Sequence, residues 1–166
     1  MYKIFSILLF IILFSCDDGN FEVPSFEFND TVNTCGSYVI YRTNSDQTEA
    51  FIIELSNTEI LSEETVTPIE TPITATNVQY RIFNGIVSPS YFCADIPPVT
   101  PSVTRNWEGV AGSDNKISIT TTAVLNDDDI ITGYEHQITL INLVLESNGD
   151  SQTFESYYFG SFITDL

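Results

Sequence analysis

The sequence predicts an all-β fold, a single antiparallel β-sandwich of Ig-like or jelly-roll-like type, with a small β-barrel as the alternative. Three observations predict it. Short runs rich in Val, Ile, Thr, Tyr and Phe recur along most of the chain. The stretches between the later runs, residues 111–115, 126–129 and 147–150, are made of Gly, Asn, Asp and Ser at hairpin spacing. No window holds a sustained helical period. Hydrophobic residues make up 43% and aromatics 13% of the 166 residues, enough for a packed core in spite of an acidic balance.

In chain order, residues 21–28 alternate in part but contain Pro24, which suits a tether ending as an edge strand. The sandwich domain is expected over residues 33–166. Residues 37–42 and 48–55 are strand formers around the polar stretch 43–47, a hairpin signal. Residues 56–71, with Glu59, Glu63, Glu64, Glu70 and Pro68, read as a connecting loop with at most a short strand. Residues 77–83 alternate and stop at Asn84-Gly85, a turn.

Residues 86–102 hold Pro89, Pro97, Pro98 and Pro101 around Tyr91-Phe92-Cys93, so an extended loop without a regular ladder is expected. Its aromatics either offer a binding surface or, the commoner use, pack as core. Strand signals then come regularly at 103–110, with the single Trp107, and at 116–125, 130–146 and 152–162. Within 130–146 the apolar phase passes from Ile138 and Leu140 to Ile141, Leu143 and Leu145. That change of face predicts a bulge near Leu140 or a segment buried on both sides. The immunoglobulin hallmark of a Trp between two cysteines is absent, because Trp107 follows Cys93.

Twenty-three acids stand against five bases, a net charge of −18. Such a surface repels phosphate backbones and anionic headgroups, which excludes nucleic acid as a partner and leaves neutral molecules, cations or basic patches.

The first residues carry an address. Lys3 precedes an apolar run over residues 4–14, broken only by Ser6, and Leu13-Phe14-Ser15-Cys16 closes it. The order of charge, apolar run and small residue is that of a cleaved secretory signal, and the run is shorter than the roughly 20 residues a membrane-spanning helix needs. The closing tetrapeptide resembles the lipobox of bacterial lipoproteins. The resemblance implies removal of residues 1–15, acylation of Cys16, for example with palmitate, and a tether over residues 16–32. Asp17-Asp18-Gly19-Asn20 resembles the export signals of surface lipoproteins of the Bacteroidota, which implies the outer membrane and its outer surface; the other reading is a plain spacer on a protein facing the periplasm.

Asp30-Thr31-Val32 is similar to the short O-glycosylation motif of the same group, making Thr31 a candidate. Cys35-Gly36-Ser37-Tyr38, Tyr91-Phe92-Cys93 and Ile96-Pro97-Pro98 are similar to small flavobacterial lipoproteins of uncharacterised function. With Cys16 acylated, Cys35 and Cys93 form an even pair in an oxidising compartment, so a disulfide is expected, with two separate buried thiols as the alternative.

Catalytic chemistry is poorly supplied. His136 is the only histidine, which leaves no His-based triad and no multi-histidine zinc site, and its neighbours Glu135 and Gln137 suggest an ordinary strand position. Carboxylate pairs such as Glu108 and Glu135 can always be drawn from so acidic a chain. Asp127, Asp128 and Asp129 are candidate calcium ligands, although the stretch lacks the spacing and glycine of an EF-hand. No cofactor is implied. The expectation is a lipid-anchored, non-catalytic envelope domain that binds a glycan or protein, or serves as an accessory subunit of an envelope complex. The alternative is a carbohydrate-active hydrolase using carboxylates.

Overall fold

The computed structural model describes residues 24–36 and 38–166. The leader, Cys16 and the acidic stretch after it lie outside the described residues. The elements are β1 (Asn33–Cys35), β2 (Val39–Thr43), β3 (Glu49–Glu54), β4 (Ile69–Pro72), β5 (Val78–Phe83), a short helix α1 (Pro89–Cys93), β6 (Val103–Gly109), β7 (Lys116–Leu125), β8 (Ile131–Ser147) and β9 (Asp150–Asp165). Every pairing is antiparallel. The all-β antiparallel class is therefore the one adopted. The hydrogen bonds join the strands into one open nine-stranded sheet in the order β1-β2-β3-β5-β6-β8-β7-β4, with β9 on the other side of β8; they do not themselves divide it into two sheets.

β8 is the strand that turns this sheet around a core. Residues 131–141 of β8 pair with β7, and beyond them Leu145 and Glu146 pair instead with Gly109 and Glu108 of β6. The handover falls at Asn142, whose φ of 49° is left-handed and whose Nδ2 donates to the Asp114 carbonyl at 3.1 Å, filling the gap between the two partners. An Asn tolerates this conformation better than the aliphatics around it. Buried positions accordingly pass from Ile138 and Leu140 to Leu143 and Leu145. The bulge expected near Leu140 lies in the partner strand: Ile138 pairs with Gly160 and Thr139 with Tyr158, leaving Phe159 as the extra residue of β9.

The core so enclosed gathers Ile40, Phe51, Ile53, Tyr80 and Trp107 from the first strands with Ile117, Ile119, Leu140, Leu143 and Phe159 from the last ones. Phe51 and Phe159 meet edge to face, with ring centroids 5.3 Å apart. This contact joins the second and last hairpins across the core. β3 is buried on both faces: Phe51 and Ile53 face this core, while Ala50 and Ile52 belong to a second cluster with Tyr41, Phe83, Val87 and Tyr91. A strand covered on both sides reads as an unbroken apolar run, as residues 50–53 do.

Two stretches differ from expectation. Residues 89–93 form α1 rather than extended chain; Pro89 stands in its first turn, where its missing N–H costs no helical hydrogen bond. Residues 24–29, expected as tether, lie against the sheet. Phe26 packs on Tyr80 and Phe154 at centroid distances of 4.9 and 4.6 Å, and Phe28 stacks on Phe51 at 5.9 Å. The Ser25 N–H donates to Glu49 Oε2 at 3.1 Å, and the Glu49 carboxylate also accepts the Tyr80 hydroxyl. The reason is chemical: two phenylalanines at alternate positions are apolar surface that the rings of the main core can bury. Among the described residues no helix is long and apolar enough to cross a membrane.

Candidate functional site

The candidate site is a cleft of about 290 Å³ on the outer face of the β2–β3 hairpin. Tyr41 and Phe92 line it as a stacked pair, with centroids 4.0 Å apart and planes 25° from parallel. Asn29, Thr31 and Asn33 line it from the N-terminal segment and β1; Thr43 and Gln47 come from the hairpin, and Val87, Ser88 and Pro89 from the approach to α1.

Local chemistry fixes each wall. Asn44 builds the hairpin turn by accepting the backbone N–H groups of Thr48 and Glu49 on its Oδ1 at 2.9 and 3.1 Å, which turns Gln47 outward at a φ of 56°. The Asn29 N–H donates to the Thr43 carbonyl at 3.1 Å, and Val87 N–H to the Gln47 carbonyl at 2.7 Å. The Cys35–Cys93 disulfide, with Cα atoms 5.0 Å apart, joins the end of β1 to the end of α1 and so ties the Asn33 wall to the Phe92 wall. Loop closure over a sequence separation of 58 constrains the unfolded chain by roughly 4 kcal/mol. Burial pushes the Tyr41 phenol above its ordinary pKa, so at neutral pH it is an uncharged hydrogen-bonding group.

None of the lining residues is charged, although the chain carries 23 acids. What the cleft offers is the partly exposed ring of Phe92, stacked on a Tyr41 that is 3% exposed, edged with amides and hydroxyls. That set can stack on an apolar ring face and exchange hydrogen bonds with hydroxyl groups, and it carries no charge with which to neutralise an ion.

The residues singled out in the sequence fall as follows. Cys16 lies outside the described residues. Thr31 is exposed at the cleft rim. Asp127, Asp128 and Asp129 occupy an exposed turn organised by Asn126, whose Oδ1 accepts the N–H groups of Asp128 and Ile130 at 3.0 and 2.9 Å. Among the described residues no group of three or more His, Cys, Asp or Glu side chains converges as a metal site would. Glu108 accepts from Asn106 Nδ2 at 3.0 Å and Glu135 from Ser161 Oγ at 2.7 Å, and neither lines the cleft. His136 is buried between Thr121 Oγ1 at 3.0 Å and Thr164 Oγ1 at 2.9 Å. Of the loop aromatics, Tyr91 is buried in the second cluster, and Phe92 packs against that cluster while lining the cleft. Asn29, Tyr41, Thr43 and Gln47 were not anticipated; the available signal was the apolar run 50–53, which requires a cover on its outer face. No family model, curated protein or solved structure matches the chain.

Proposed function

We propose that this protein is a lipid-anchored, non-catalytic binding domain of the cell envelope whose cleft takes a neutral, hydroxyl-rich ligand such as the end of a glycan. The observation that carries the reading is the uncharged, aromatic-floored cleft in a chain of net charge −18. Sugars present an apolar C–H face and a rim of hydroxyls, which an aromatic ring and amide side chains complement. The cleft volume matches one or two sugar rings, at the small end of ligand sites. Acylated Cys16 would hold the domain at the outer membrane, with its acidic tether directing it to the outer surface. The carboxylates that a hydrolase would need are elsewhere, since none lines the cleft.

The test is a screen of uncharged oligosaccharides, followed by titration calorimetry with the best binder. Asn33→Ala and Phe92→Ala should each weaken binding at least tenfold, because one removes a rim amide and the other the exposed ring. Failure of every neutral saccharide to bind at millimolar concentration would end the reading, as would binding that both substitutions leave unchanged.

A further inference from the structure

Residues 24–29 join the main core to the cleft. Phe26 and Phe28 pack against the core, and the next residue, Asn29, lines the cleft on the outer face. Successive residues of an extended chain point to opposite sides, so a movement that draws Phe28 out of the core displaces Asn29 from the cleft wall.

Arg42 is the junction between the two sides. It stands in β2 between Tyr41 and Thr43, which both line the cleft, while its guanidinium reaches the core side. Nε and Nη2 donate to the Asn29 carbonyl at 3.0 and 2.6 Å, Nη1 donates to the Phe159 carbonyl at 2.7 Å, and the group lies over the Phe28 ring. At the other end of the segment the Glu49 carboxylate accepts the Ser25 N–H at 3.1 Å and the Ser25 hydroxyl at 2.8 Å. Residues 24–29 form no strand, so the segment is gripped at points rather than by a ladder. Phe26 also keeps a left-handed φ of 51°, which a phenylalanine holds only while its surroundings enforce it. An element held in this way docks and releases as a unit.

We propose that residues 24–29 are a strap whose docking sets one wall of the cleft. The ligand side of this inference rests on the binding reading given above, whereas the wall rests on the contacts alone. Strap and ligand then stabilise each other by the same factor, since coupling between two sites is reciprocal. A pull on the chain ahead of Pro24 loosens the same wall.

Hydrogen exchange of the full chain tests the wall without a ligand. Phe26→Ala, which alters no lining residue, should speed exchange over residues 29–35 by at least about fivefold and leave residues 116–125 at their rate. Ile117→Ala, a core truncation on β7, should leave residues 29–35 at the wild-type rate. Faster exchange confined to residues 24–28, or an equal effect of Ile117→Ala on residues 29–35, overturns the proposal. Maltose, cellobiose and lactose then serve as neutral probes of the cleft. A disaccharide that binds the wild type should bind Phe26→Ala at least about fivefold more weakly, in proportion to the docked fraction, and should slow exchange over residues 29–35. Equal affinity for the two proteins overturns the strap and leaves the cleft reading standing. No binding to either, with residues 29–35 faster in Phe26→Ala, counts against the cleft reading and supports the strap.

Discussion

Phe26→Ala separates a tether from a structural segment. Phe26 contacts the rings of Phe28, Phe51, Tyr80, Phe154 and Tyr157, and is half-buried among them. Truncating a fully buried phenylalanine costs about 3–5 kcal/mol, so partial exposure scales the loss to about 2–3 kcal/mol. The backbone adds nothing to that difference, because its φ of 51° is as unfavourable for alanine as for phenylalanine. Phe26→Gly loses the same ring but relieves the left-handed strain by roughly 1 kcal/mol. Glycine should thus be the milder substitution, the reverse of the usual order. Urea unfolding measures both: with a slope of about 1–3 kcal/mol per molar, the alanine midpoint should fall by about 1 M. A loss below about 0.5 kcal/mol, the range of ordinary surface changes, would refute the docking of residues 24–29.

Two further predictions concern the last hairpin. Burial holds the His136 pKa below its ordinary value, so the unfolded state binds the proton more readily; stability is full above about pH 6.5 and falls on acidification, by at most about 1.4 kcal/mol per pH unit. Chemical unfolding between pH 6.5 and 5, where few carboxylates titrate, should show this slope in the wild type and a flatter one in His136→Asn; equal slopes would refute it. Gly160 has a φ of 138°, and an added Cβ would overlap Val32 Cγ2, so Gly160→Ala should lose about 2–4 kcal/mol in thermal unfolding. Adding Val32→Ala should restore part of that loss by removing the overlap but not the strain, and no restoration would show that the overlap contributes nothing.

The strands were legible wherever one face is buried and one is wet. Residues 117–121 show it: Ile117, Ile119 and Thr121 turn inward and Ser118 and Thr120 outward, so the alternation in sequence is the alternation in space. The change of phase after Leu140 was legible too, but its cause was not. Only the pairing shows that β8 changes neighbours at Asn142, a long-range fact that periodicity does not encode. The same limit applies to Phe26 and Phe28. Their alternation beside Pro24 is what an exposed edge strand would also show, and the partners that bury them lie far along the chain, at Phe51, Tyr80 and Phe154.

The cleft was hidden for a different reason. A strand like β2 normally leaves one face to solvent, and nothing in residues 37–42 marks the outer face of Tyr41 as covered. The run Ala50 to Ile53 in the neighbouring strand contradicts it, since four consecutive apolar residues need cover on both sides. Only residues 87–93 can supply the outer cover, because the disulfide brings Cys93 to Cys35 and Tyr91 reaches Phe83 at a centroid distance of 5.0 Å. Val87 and Tyr91 close over Ala50 and Ile52, Phe92 stacks on Tyr41, and the gap beside them, edged by Asn29, Asn33, Thr43 and Gln47, is the cleft. It therefore lies where a five-residue helix caps a strand that needed burial.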